Sequence, residues 1–80
     1  MLGKNYRGVF SKMGEGLLEK YIEDLQKQLE VSPDNPELLY KLGTAYVRLK
    51  KIDSAREVYK KLKEVDEERA KELLDTIYDV

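Results

Sequence analysis

Residues 36–62 read PELLYKLGTAYVRLKKIDSAREVYKKL, and this stretch decides the fold. Leu38, Leu39, Leu42, Ala45, Tyr46 and Leu49 recur with the three-and-four spacing of an amphipathic helix. Asn35 is suited to cap that helix and Pro36 to start it, because a first-turn residue has no intrahelical use for an N–H. The helix is expected to end near Lys50. Lys51-Ile52-Asp53 follows, with Asp53 predicted to cap a second helix whose apolar side carries Ala55, Val58, Tyr59, Leu62 and Val65. So short a connection makes the two helices antiparallel neighbours.

Working outward, residues 17–31 predict another helix. Leu18, Tyr21, Ile22, Leu25, Leu29 and Val31 form its apolar side, and Glu23 and Lys27 make an i,i+4 pair. Ser32-Pro33-Asp34-Asn35-Pro36 then breaks the chain, since neither proline fits a helix interior. A last helix is predicted from about Asp66, whose neighbours Glu67 and Glu68 suit the positive end of a helix dipole. Ala70, Leu73, Leu74, Ile77 and Tyr78 give its inner side. Residues 1–16 hold four of the five glycines, yet Tyr6, Val9, Phe10, Met13 and Leu17 keep helical spacing. The expected organisation is a flexible or weakly helical segment over 1–16 and a helical domain over 17–80.

A shift of 34 residues lays Glu19–Val31 over Asp53–Val65. Glu23 meets Glu57, Lys27 meets Lys61, Glu30 meets Glu64 and Val31 meets Val65. A period of that size matches one helix–turn–helix unit. Leu39-x-x-Leu42-Gly43-x-x-Tyr46, followed by Ala55-x-x-x-Tyr59, resembles the tetratricopeptide repeat pattern. Leu39 stands where the family usually has Trp. The resemblance covers one full unit over Pro36–Arg69, the second helix of an earlier unit over Leu17–Asn35, and a closing helix over Asp66–Val80. It implies an all-α array of antiparallel helix–turn–helix units with four helices and a possible short extra one at the N-terminus. Gly43 and Ala55 would let the two helices of the unit approach. Lys50 departs from the pattern, which has a left-handed glycine there. Leu62 replaces a small Ala, so looser packing with the last helix is expected. Gly16 matches the turn glycine of the earlier unit.

Composition narrows the function. Eighty residues with no Cys and no His exclude disulfides, thiolate or imidazole metal sites, and His- or Cys-based catalysis. Neighbouring carboxylates such as Glu67–Glu68 and Asp75–Asp79 fall on solvent-facing positions, and Asp34-Asn35 suits a turn rather than a calcium loop. Gly14-Glu15-Gly16 lacks the residues of a phosphate loop. No catalytic residue, metal or cofactor is therefore expected. No apolar run reaches the ~20 residues of a membrane span, and a cytoplasmic protein is expected. Lys and Glu dominate the charge, a bias found in thermophile proteins.

A net charge of −1 argues against a general nucleic-acid binder. It conceals segregation: residues 48–63 hold seven basic and two acidic residues, and residues 64–80 seven acidic and two basic. Attraction between neighbouring helices and head-to-tail association both fit that pattern. A small bundle binding nucleic acid or an anionic surface through 48–63 is the alternative reading.

By the resemblance, the first helix of each unit lines the binding surface, which places Glu37, Tyr40, Thr44, Val47 and Arg48 against a protein or peptide partner. Tyr40, Thr44 and Val47 do not match the family's carboxylate-clamp type. They suit an amphipathic helix or an apolar strip. The competing reading is that Tyr40 and Val47 contact neighbouring helices. The stripe Tyr6, Val9, Phe10 and Met13 is a candidate self-docking segment, seated on the chain's own helices or on a second copy. Roughly one unit with two halves is fewer than stable arrays need, so a homodimer is expected. A fragment of a longer repeat protein would show the same pattern.

Overall fold

The structure is a computed structural model that describes the backbone of residues 2–78 and the side chains of residues 16–78. Four helices follow one another: α1 (Leu2–Val31), α2 (Pro36–Arg48), α3 (Ile52–Val65) and α4 (Glu67–Tyr78). Among the described residues there is no strand. Short connections fold α2 and α3 into a hairpin, and α4 lies against both; among the described residues α1 packs on α2. Thus α2 is the central element and touches every other helix.

Local chemistry sets each boundary. Ser32 O accepts the N–H of Asn35 at 3.2 Å, closing a turn with Pro33 at its second position. Asn35 Oδ1 then accepts the N–H groups of Glu37 (3.0 Å) and Leu38 (3.3 Å). The cap therefore supplies two of the donors that a helix start leaves unpaired. At the other end of α2, Lys50 takes φ 61°. Lys51 N–H donates to Tyr46 O and Lys50 N–H to Val47 O, each at 2.9 Å. These are the two bonds of a Schellman turn, made here by a lysine in the left-handed conformation. The helix closes at Arg48, two residues before the expected end, because this turn takes up Leu49 and Lys50.

One expected cap is absent, and a cap that was not expected is present. Asp53 does not cap α3: the N-cap is Lys51, without a side-chain hydrogen bond, and Asp53 lies inside the first turn. Its carboxylate still suits that end of the dipole. Asp66 does cap α4, its Oδ1 accepting the Arg69 N–H at 3.2 Å.

The core joins Ile22 and Leu25 of α1, Leu39, Leu42, Ala45 and Val47 of α2, Ala55, Val58 and Leu62 of α3, and Ala70, Leu73 and Ile77 of α4. Leu62, expected to loosen the contact with α4, is wholly buried, as is Leu73. Gly43 acts differently from its expected role within the α2–α3 hairpin. A methyl at its Cα would lie 2.5 Å from Leu73 Cδ2 and 2.8 Å from Cδ1. The missing side chain therefore makes room for α4, across the unit boundary.

Helix α1 corrects one sequence expectation. Gly16 lies inside it, with open space around its Cα, and forms no turn. A glycine within a helix costs only about 1 kcal/mol relative to Ala, which does not suffice to break thirty helical residues. The side chains of Tyr6, Val9, Phe10 and Met13 lie outside the described residues.

Candidate partner-binding face

Three helices cover α2, so most of its circumference is buried. Leu39, Leu42, Gly43, Ala45 and Val47 all point inward. What remains outward is a strip at i, i+4, i+7 and i+11: Glu37, Lys41, Thr44 and Arg48. Glu37, Lys41 and Arg48 are exposed and Thr44 is half-buried. Its hydroxyl donates to Lys41 O at 2.9 Å.

Val47 has 4% of its surface exposed and belongs to the core. Its place in the expected contact set is therefore corrected. The reason is geometric: it stands one turn after Gly43, on the side of α2 where other helices approach. With Val47 removed, the apolar strip expected beside Arg48 is replaced by a polar face. Lys41, at the centre of that face, escaped the sequence reading because an isolated Lys on a helix looks like ordinary solvent-facing surface.

Tyr40 lies at the edge of the strip and is half-buried. The Arg69 guanidinium of α4 sits 5.5 Å from its ring centroid and donates to Glu37 Oε2 at 3.0 Å. A guanidinium can lie over a ring and donate to a carboxylate at once, and so ties Glu37, Tyr40 and α4 together. Neighbouring Asp66 holds the Arg69 backbone, as described above. The face therefore extends from α2 across to α4, with its charges held in place at one end.

The other charged groups lie elsewhere. Lys61 pairs with Asp34 at 3.3 Å, joining α3 to the turn before α2, and Lys60 lies 3.9 Å from Glu57 on its own helix. Helices α3 and α4 are held together by the apolar core; α3 itself carries four basic and three acidic residues, since part of the basic segment 48–63 precedes it. Among the described residues no charged or polar side chain is buried. No helix there is long and apolar enough to cross a membrane.

The packing order of α1, α2, α3 and α4 is that of helix–turn–helix units in series, and a family model for the tetratricopeptide repeat matches residues 14–77. The chain belongs to the tetratricopeptide repeat family. Neither the curated proteins nor the solved structures gave a match. In this tetratricopeptide chain α2 and α3 form the complete unit, α1 contributes a helix before it and α4 one after it. Repeats of this family generally mediate protein–protein contact.

Proposed function

We propose that this protein is a non-catalytic interaction module, a small scaffold or adaptor. It takes a protein or peptide partner on the α2 face formed by Glu37, Tyr40, Lys41, Thr44 and Arg48. The observation that carries this reading is that α2, buried by three neighbours, leaves one continuous strip uncovered, and that Arg69 extends it onto α4. The strip carries Lys41, Arg48 and the carboxylate of Glu37, which Arg69 engages. A partner segment with acidic and hydrogen-bonding side chains suits it better than the apolar helix suggested by the sequence.

Self-association belongs to the same proposal. Stacked repeats gain stability from their neighbours, and this chain has one complete unit. The candidate docking segment remains Tyr6, Val9, Phe10 and Met13.

The test is affinity capture from an extract of the source organism, comparing wild type with Lys41→Glu/Thr44→Glu/Arg48→Glu and with the control Glu57→Lys/Lys60→Glu on α3. A partner retained by wild type and control but lost by the α2 variant supports the proposal. Retention by all three places binding elsewhere. Salt-sensitive retention of DNA or RNA, lost on substituting basic residues of 48–63, would favour the nucleic-acid reading instead.

A further inference from the structure

An open groove of about 380 Å³ runs between the second half of α3 and the first half of α4. Tyr59 and Leu74, both half-buried, and the buried Ala70 give it an apolar floor. Ala70 ends in a single methyl, so the floor is deep where it stands. Lys63 and Lys71 are exposed beside it.

Helix α4 also carries an uncovered ring. Tyr78 has 72% of its surface exposed. Glu67, Lys71, Leu74 and Tyr78 follow one another at spacings of four, three and four, so they share one side of α4. That side therefore presents a groove near the start of the helix and a ring near its end. The ring cannot enter its own groove, because Tyr78 stands eight residues beyond Ala70 on the same helix, about 12 Å along the axis. The adjoining charges are unspent as well. Lys71 and Asp75 are exposed and one turn apart, and among the described residues neither forms an ion pair.

Shape and charge identify the same occupant. Lay a second copy of α4 antiparallel to the first, with Leu74 against Leu74. Tyr78 of each copy then falls opposite Ala70 of the other and enters its groove. Asp75 falls two residues, about 3 Å along the axis, from the point opposite Lys71 of the second copy. Opposite charges thus meet twice, once on each side of the two-fold axis. A parallel copy sets Tyr78 beside Tyr78 and Lys71 beside Lys71, and leaves both grooves empty.

We propose that this protein forms a two-fold dimer through antiparallel pairing of α4 with α4 of a second copy, with Tyr78 of each chain filling the α3–α4 groove of the other. The contact is self-complementary, as a two-fold interface requires. An exposed aromatic ring seated in an apolar groove is the kind of anchor that carries most of an interface's affinity. Arg69 lies about 160° around α4 from Lys71, so the pairing leaves the α2 face open to a partner. It rests on the self-association part of the proposed function, and gives it a surface separate from residues 6–13.

The experiment is sedimentation equilibrium on the full chain at low salt, with circular dichroism confirming equal helix content for every variant. Wild type is expected to be dimeric at high micromolar concentration. Tyr78→Ala removes an exposed ring and is expected to raise the dissociation constant at least tenfold. Lys71→Asp and Asp75→Lys set like charges against each other and are each expected to be monomeric. Mixed one to one, these two variants are expected to associate, because every contact between them is again between opposite charges. A monomeric wild type at high micromolar concentration overturns both this dimer and self-association, while leaving the α2 face testable by capture. A wild-type dimer unaffected by Tyr78→Ala, or charge variants that associate alone and gain nothing on mixing, overturns the α4 pairing while self-association stands.

Discussion

Replacing Lys50 by glycine is expected to stabilise the protein. Lys50 is the residue of positive φ that ends α2, at 61°. A side chain in that region brings Cβ against the following carbonyl and costs roughly 1–2 kcal/mol. Glycine removes the clash and leaves both turn hydrogen bonds, which are backbone to backbone, in place. Against this, glycine gives the unfolded chain more freedom, worth about 0.4–1 kcal/mol. The net gain is about 0.5–1 kcal/mol, or roughly 2–8 °C in melting temperature for a domain of this size. Lys50 is exposed and appears in none of the ion pairs described, so little side-chain interaction is lost. The assay is thermal and urea unfolding followed by circular dichroism at one fixed protein concentration. Two controls isolate the cause. Lys51→Gly, at φ −92°, has no strain to relieve and is expected to destabilise. Lys50→Ala keeps the Cβ and is expected to change stability by less than about 0.5 kcal/mol. Destabilisation by Lys50→Gly, or equal effects at positions 50 and 51, would refute the strain argument.

Other substitutions probe the packing and the caps. Gly43→Ala drives a methyl toward the buried Leu73 and is expected to cost about 1–3 kcal/mol by urea unfolding. Leu73→Ala, costing about 2–5 kcal/mol alone, should cost distinctly less in the Gly43→Ala background, and a double-mutant cycle measures that coupling. Asn35→Ala loses both cap bonds and should cost about 1 kcal/mol. Tyr46→Phe breaks the bond that Gln26 Nε2 donates to the hydroxyl at 3.0 Å. That bond is exposed, so about 1 kcal/mol or less is expected, and a larger loss would mean that the α1–α2 contact depends on it. Arg69→Lys retains the charge but loses the planar guanidinium that lies over Tyr40 while it holds Glu37. It is expected to weaken partner capture while changing the unfolding midpoint little.

The helices α2, α3 and α4 were legible because each has one apolar stripe and a nearby turn or cap of distinct chemistry. The special role of residue 50 was legible through the repeat pattern, which has a glycine there. Val47 was not. The period of a helix identifies its most apolar side but not how many neighbours surround it, and α2 has three. Lys41 was missed for the complementary reason, since one lysine on a charged helix carries no signal until its neighbours are placed. Gly14 and Gly16 invited a boundary that the backbone ignores, because two modest propensity costs are small beside the cooperativity of a long helix. The contact of Gly43 with Leu73 pairs residues thirty positions apart, and no local pattern reports it.

The central claim is that the outward strip of α2 is where this tetratricopeptide chain meets its partner. Its most direct test is a photo-crosslinking side chain placed in turn at Lys41, in the middle of that strip, and at Glu57 on α3, followed by irradiation in an extract of the source organism and mass spectrometry. Both positions are exposed, so accessibility does not favour one. A discrete adduct with another protein from position 41 and none from position 57 is the predicted result. Adducts from 57 alone, or the same adducts from both positions, would contradict it.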